Sequence, residues 1–166
     1  MNPDTAEVLA IVERAFPFVA RPSEAEIPFH SDSCARCEMT LQELRKHRGE
    51  QLPFSAIRWF CDELSTLSPR AISWVFPAYL RFVLTAEDVR DPRPTEFLIY
   101  ALAPAAGCEE EARARLALMD VDQVEALGVL VEYWKGDEHW SEYCGGDLDR
   151  AGTFLASLVA SRRTRG

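Results

Sequence analysis

The chain has 166 residues, 48% of them apolar, and a formal net charge of −9 at neutral pH. That is enough to bury one self-sufficient core without disulfides, and too acidic to neutralise a phosphate backbone, so nucleic acid is not an expected partner. No apolar run approaches the roughly 20 residues that a membrane-spanning helix needs, so no membrane association is expected.

The opening Met1-Asn2-Pro3-Asp4 lacks a basic n-region, and Glu7 and Glu13 interrupt the apolar positions that follow. This pattern predicts no signal peptide and a cytoplasmic location. Five cysteines in such a chain are expected as thiols or metal ligands, not as a disulfide framework.

In chain order, Asp4-Thr5 can cap a first helix carrying Val8, Ile11, Val12 and Ala15 at helical spacing, ending near Ala15. Pro17, Pro22 and Pro28 then make 17–33 an extended connector, because each proline fixes φ and removes a donor. Ser33 is the expected N-cap of a second helix with Cys34, Cys37, Leu41 and Leu44 on one side, closing near Gly49. A third helix carries Ile57, Phe60, Cys61 and Leu64, where Cys61 reads as core packing.

Ser68-Pro69 opens the helix expected to be most buried, with Ile72, Val75, Phe76, Tyr79, Leu80 and Val83; Pro77 inside it predicts a kink. Phe97, Leu98, Ala101 and Leu102 suggest a short helix ended by Pro104 and Gly107. Another follows from Glu109-Glu110-Glu111, whose charge suits a helix N-terminus. Asp120 with Gln123 resembles a capping box, followed by Val124, Leu127, Gly128, Val131 and Trp134 up to Gly136. A last helix is expected from about Asp147, with Gly145-Gly146-Asp147 as turn and cap, burying Leu148, Ala151, Phe154, Leu155 and Leu158. The tail 161–166, with Arg162, Arg163 and Arg165, reads as a frayed basic end. No alternating strand pattern and no internal repeat is visible. The expectation is a single all-α domain over 1–166, an irregular bundle of about seven to nine helices.

Several segments together resemble an uncharacterised bacterial family, a domain of unknown function. They are Ala15-Phe16 followed by Arg21-Pro22, His30 with Cys34-x-x-Cys37-Glu38, and Leu67-Ser68-Pro69-Arg70-Ala71 leading to Phe76-Pro77-Ala78-Tyr79-Leu80. Val121-Asp122-Gln123 through Leu130-Val131-Glu132-Tyr133 adds a weaker piece. The resemblance implies a helical bacterial protein and no particular activity. The chain departs from the pattern at Arg36, where an acidic residue is expected, and in continuing past Trp134 with His139, Trp140 and Cys144.

The chemistry concentrates at His30, Cys34 and Cys37. Two cysteines one helical turn apart can chelate an ion, with His30 folding back as a third ligand and zinc as the candidate metal. His47, Cys61, Cys108, His139, Cys144 and Asp32 are all candidates for a fourth ligand. A second reading is redox: a thiol at a helix N-terminus beside Arg36 is activated, although a thioredoxin-type motif would follow a strand. A third is packing alone, since free cysteine behaves as a small hydrophobe.

Other features are weaker. Gly145-Gly146-Asp147 lacks the lysine and spacing of a phosphate loop, Asp62-Glu63 and Glu109-Glu110-Glu111 suit solvated faces, and His139 has no recognisable nucleophile beside it. No nucleophile elbow, zinc-protease helix or dinucleotide fingerprint occurs. The sequence therefore points to a non-catalytic binding protein with a protein partner, carrying a structural zinc or thiol cluster. Alternatives are a metal- or thiol-dependent enzyme at the same segment, and an acidic immunity- or antitoxin-like protein that neutralises a basic partner.

Overall fold

The computed structural model describes residues 4–30, 33–86 and 91–164. Among them are eight α-helices, two 3-10 segments and no strand, an all-α bundle as the periodicity predicts. The helices are α1 (Thr5–Ala15), α2 (Ala35–Leu44), α3 (Phe54–Phe60), α4 (Pro69–Thr85), α5 (Arg93–Leu102), α6 (Glu109–Arg115), α7 (Val121–Lys135) and α8 (Glu138–Arg163).

The N-terminal signals act as expected. Asp4 accepts from the Glu7 amide at 2.8 Å while Glu7 reaches back to the Asp4 amide at 3.2 Å, so two orphan donors are satisfied reciprocally. Asp120 and Gln123 do the same for α7 at 2.8 and 3.1 Å. Gln123 also donates to the Ala15 carbonyl at 3.1 Å, which ties the end of α1 to the start of α7. Ser68 caps α4, with Pro69 at its first position, where a missing N–H costs nothing.

The core is built on α4, α7 and α8. Trp74, Val75, Ala78, Tyr79 and Leu80 of α4 are fully buried, as are Val124, Leu127, Leu130 and Val131 of α7. Helix α4 continues through Pro77 to Thr85. One turn beyond the proline, the Arg81 guanidinium donates to the Pro77 carbonyl at 2.6 Å and to the Phe16 carbonyl at 3.0 Å, and so links α4 to the end of α1. Helices α7 and α8 meet through Gly136 and Asp137 and share the most extensive helix–helix contact in the bundle.

Four local readings are corrected. Helix α8 begins at Glu138, capped by Asp137 accepting from the Trp140 amide at 3.1 Å, and only Cys144 leaves helical backbone, at φ −122° and ψ 18°. The break expected there is thus a kink at Cys144 between two helical stretches and not a turn at Gly145-Gly146-Asp147, and Trp140, Cys144 and Leu148, spaced by four, are buried on both sides of it. At the other end the helix runs to Arg163, with Arg162 donating to the Leu116 carbonyl at 2.7 Å and Arg163 paired with Glu125. The basic tail is therefore helical and docked up to there; Arg165 lies outside the described residues.

Helix α3 tightens after Phe60 into a 3-10 segment, Cys61–Thr66, in place of the continuous helix expected through Leu64. Cys61 is buried as predicted. Helix α2 is capped by Cys34, not Ser33, and ends at Leu44 well before Gly49. Its end is met by Arg21, which donates to the Leu44 carbonyl at 3.4 Å and lies 5.5 Å from the Trp74 ring.

Candidate metal centre

His30 is placed by the end of the connector. Ile27 is buried, Pro28 forms an isolated antiparallel bridge with Leu67, and the flanking bonds are Phe29 N to Thr66 O at 2.8 Å and Ser68 N to Ile27 O at 2.9 Å. This short piece of extended pairing explains why a proline-punctuated loop holds one course. Phe29 adds an anchor: the Arg115 guanidinium carbon stands 5.3 Å from its ring, and the His30 ring meets its edge at 5.2 Å.

The cysteines come from the first turn of α2. Cys34, in extended conformation, takes the N-cap role usually filled by a hydroxyl or carboxylate, and its Sγ accepts from the Cys37 amide at 3.3 Å. Cys37 Sγ lies 3.2 Å from His30 Nδ1 and 3.8 Å from the Thr66 carbonyl. The donor atoms of His30, Cys34 and Cys37 all fall within 4.8 Å of one another, a set that can hold a metal ion. Exposure is graded across it: His30 is exposed, Cys34 half-buried, and Cys37 only 4% exposed.

The two thiols are shifted in opposite directions from the ordinary thiol range. Hydrogen bonding from the Cys37 side chain and amide holds Cys34 below the usual thiol range, whereas burial pushes Cys37 above it, reinforced by the neighbouring Cys34. Arg36, read from sequence as an activator of the thiols, adds only a minor share to the lowering of Cys34, through its amide and its charge, while its guanidinium is engaged by Glu63. It grips the Glu63 carboxylate through Nε at 2.9 Å and Nη2 at 2.9 Å, and so clamps the start of α2 to the 3-10 segment. Beneath them the single Thr66 hydroxyl proton has two acceptors within reach, the Glu63 carbonyl at 2.7 Å and Thr40 Oγ1 at 3.1 Å, while Thr40 donates to the Arg36 carbonyl at 3.0 Å. Thr40 and Thr66 were not singled out from sequence, and Glu63 was read with Asp62 only as part of a solvated face, whereas its side chain is 20% exposed and paired with Arg36; no local motif marks residues that meet only through tertiary packing.

Among the described residues no further His, Cys, Asp or Glu joins this group. His47 lies beyond the far end of α2, facing Glu43 at 3.9 Å. Cys61 is buried, and burial pushes its thiol up to about 11. Cys144 is buried at the α8 joint, Cys108 is exposed before α6, and the His139 ring is stacked on Tyr143 at 6.0 Å. Asp32 lies outside the described residues.

A second concavity was also not foreseen. Between α7 and α8 an apolar groove of about 670 Å³ is floored by small residues, Gly128, Gly152, Ala156 and Ala160, with Val124 and Val159 beside them. Sequence reading placed Gly128 on the packed face of α7, because a glycine in a helical pattern does not announce whether it allows close packing or leaves a hollow. No described helix is long and apolar enough to cross a membrane. Comparison of the chain with protein-family models, with curated proteins and with solved structures finds no match to any of them.

Proposed function

We propose that this chain is a non-catalytic binding protein whose 17–33 connector is fixed to α2 by a zinc ion held by His30, Cys34 and Cys37. The observation that carries the reading is the convergence of one imidazole and two sulfurs, from two different elements, within 4.8 Å. Thiolate and imidazole together are the donor set of tetrahedral zinc, while harder ions prefer oxygen. Three protein ligands leave one position for water or for a side chain from a partner. A net charge of −9 favours a basic protein partner, in the manner of an immunity or antitoxin-like factor, and its association should slow as salt rises.

Elemental analysis of protein purified without added metal, together with thiol counting before and after chelation, tests the site. The expected result is one zinc per chain, with Cys34 and Cys37 becoming reactive only when the metal is removed. Metal-free protein that takes up no added zinc, with both thiols equally reactive before and after chelation, would reduce the cluster to packed side chains.

A further inference from the structure

We infer that the candidate zinc centre is a redox-gated site, in which oxidation of Cys34 and Cys37 to a disulfide by a peroxide expels the metal; this rests on the zinc reading above. Three features of the corner lead there. The sulfurs lie within 4.8 Å of each other at the opening of α2. Cys34 caps α2 and Cys37 lies in its first turn, so the two α-carbons stand about one turn apart, within the roughly 4.4–6.8 Å that a disulfide spans. Cys34 already leans over the cap, its Sγ on the Cys37 amide at 3.3 Å.

The graded burial sets the order of events. Cys37 is 4% exposed and Cys34 is half-buried, so a small oxidant meets the Cys34 sulfur first. The Cys34 thiolate attacks one oxygen of hydrogen peroxide: an S–O bond forms, the O–O bond breaks, and the departing hydroxide takes a proton from solvent to become water. The sulfenic acid so formed is attacked by the Cys37 thiolate. An S–S bond forms, the S–O bond breaks, and the second hydroxide leaves as water after protonation. Two electrons pass from the pair of sulfurs to the peroxide.

A neutral disulfide is a far poorer metal ligand than two thiolates, so His30 is left as the sole strong donor. The same bond draws Cys37 Sγ from its place 3.2 Å from His30 Nδ1, which frees the ring at the surface end of the connector. The remaining cysteines stand outside this chemistry for stated reasons. Cys61 and Cys144 are buried, and Cys108 is exposed but joins no cluster of metal-capable groups among the described residues.

The test uses the full chain carrying Cys108→Ser, which removes the one exposed thiol. The zinc-loaded protein is treated with equimolar hydrogen peroxide; released zinc is read with a chromogenic chelator and the cross-link by peptide mass mapping. Zinc and a Cys34–Cys37 disulfide should appear together in equal amounts, and a thiol reductant should restore zinc uptake. Zinc retained on reduced thiols, or Cys34 carried to sulfinic acid while Cys37 stays reduced, overturns the switch and leaves the zinc reading standing. A chain that binds no added zinc before oxidation removes both, whether or not the disulfide maps.

Discussion

Along α7 and α8 the buried positions are almost entirely hydrocarbon, Leu127, Leu130, Val131 and Trp134 on α7 and Leu148, Ala151, Leu155 and Leu158 on α8, whereas α2 buries only Cys37, Thr40, Leu41 and Leu44. The trunk is held by removal of apolar surface from water, an effect of about 25 cal/mol per Å² that needs no particular partner. The corner around α2 is held by named links: the Pro28–Leu67 bridge, the Arg36–Glu63 clamp, the Thr40–Thr66 bond and the sulfur cluster. Each such link is worth on the order of 1 kcal/mol. The contrast implies that the trunk folds whatever the metal does, and that metal or oxidation acts on the corner.

The largest effect should therefore come from the trunk and be indifferent to zinc. Trp134→Ala, at a side chain only 2% exposed, is expected to lower stability by about 3–5 kcal/mol in denaturant titration, with or without a chelator. A cost below about 1 kcal/mol would mean that the trunk is not the seat of stability. Next comes metal removal from the wild-type chain. At free zinc a hundredfold above its dissociation constant, binding adds about 2.7 kcal/mol, so a chelator should lower Tm accordingly. The double variant Cys34→Ala, Cys37→Ala should melt at one temperature in zinc and in chelator. If wild type also ignores the chelator, the corner is held by packing and the asymmetry disappears.

The trunk was legible in the sequence because its evidence is local and repeated. Val124, Leu127, Val131 and Trp134 recur at helical spacing behind a capping box, and Ser68-Pro69 announces α4 one residue before it begins. The corner was legible only as a residue set. His30, Cys34 and Cys37 could be named as one group, and the structure brings their donor atoms together, but Thr66, whose carbonyl meets Cys37, and Glu63, which holds Arg36 between the two cysteines in sequence, come from a 3-10 segment some thirty residues on. The errors share one cause, competition between local breakers and tertiary burial. Gly145-Gly146 weakens a helix by about 1 kcal/mol per glycine, yet the chain kinks only at Cys144 and is helical on both sides of it, with Trp140, Cys144 and Leu148 buried. Ser33 is the better cap by propensity, but Cys34 is the residue whose sulfur reaches the Cys37 amide.

Cys61 offers a sharper test of how deeply the 3-10 segment is set into the hydrocarbon of the trunk. Burial raises its folded pKa to about 11 from an ordinary 9.0. The folded state thus holds the thiol proton over a pH range where the unfolded chain releases it. Stability from this group is intact below the unfolded value and is lost as pH rises through the folded one, by at most about 3 kcal/mol. Melting curves between pH 8 and pH 11 should fall more steeply for wild type than for Cys61→Ala. Equal slopes would show that Cys61 is solvated in the folded protein.

The smallest expected effect distinguishes a clamp from an ornament at the corner itself. The Arg36 side chain is 60% exposed and Glu63 20% exposed, so their bidentate pair works in high dielectric and loses strength to salt. Arg36→Ala should cost below about 1 kcal/mol, and a double-mutant cycle with Glu63→Gln should give a coupling of about 0.5 kcal/mol that shrinks at high salt. Zinc affinity should change little, because none of the three donor atoms belongs to Arg36. A coupling above about 2 kcal/mol, or a tenfold fall in zinc affinity, would instead make this ion pair the element that holds the first turn of α2 in position for its sulfurs to meet His30.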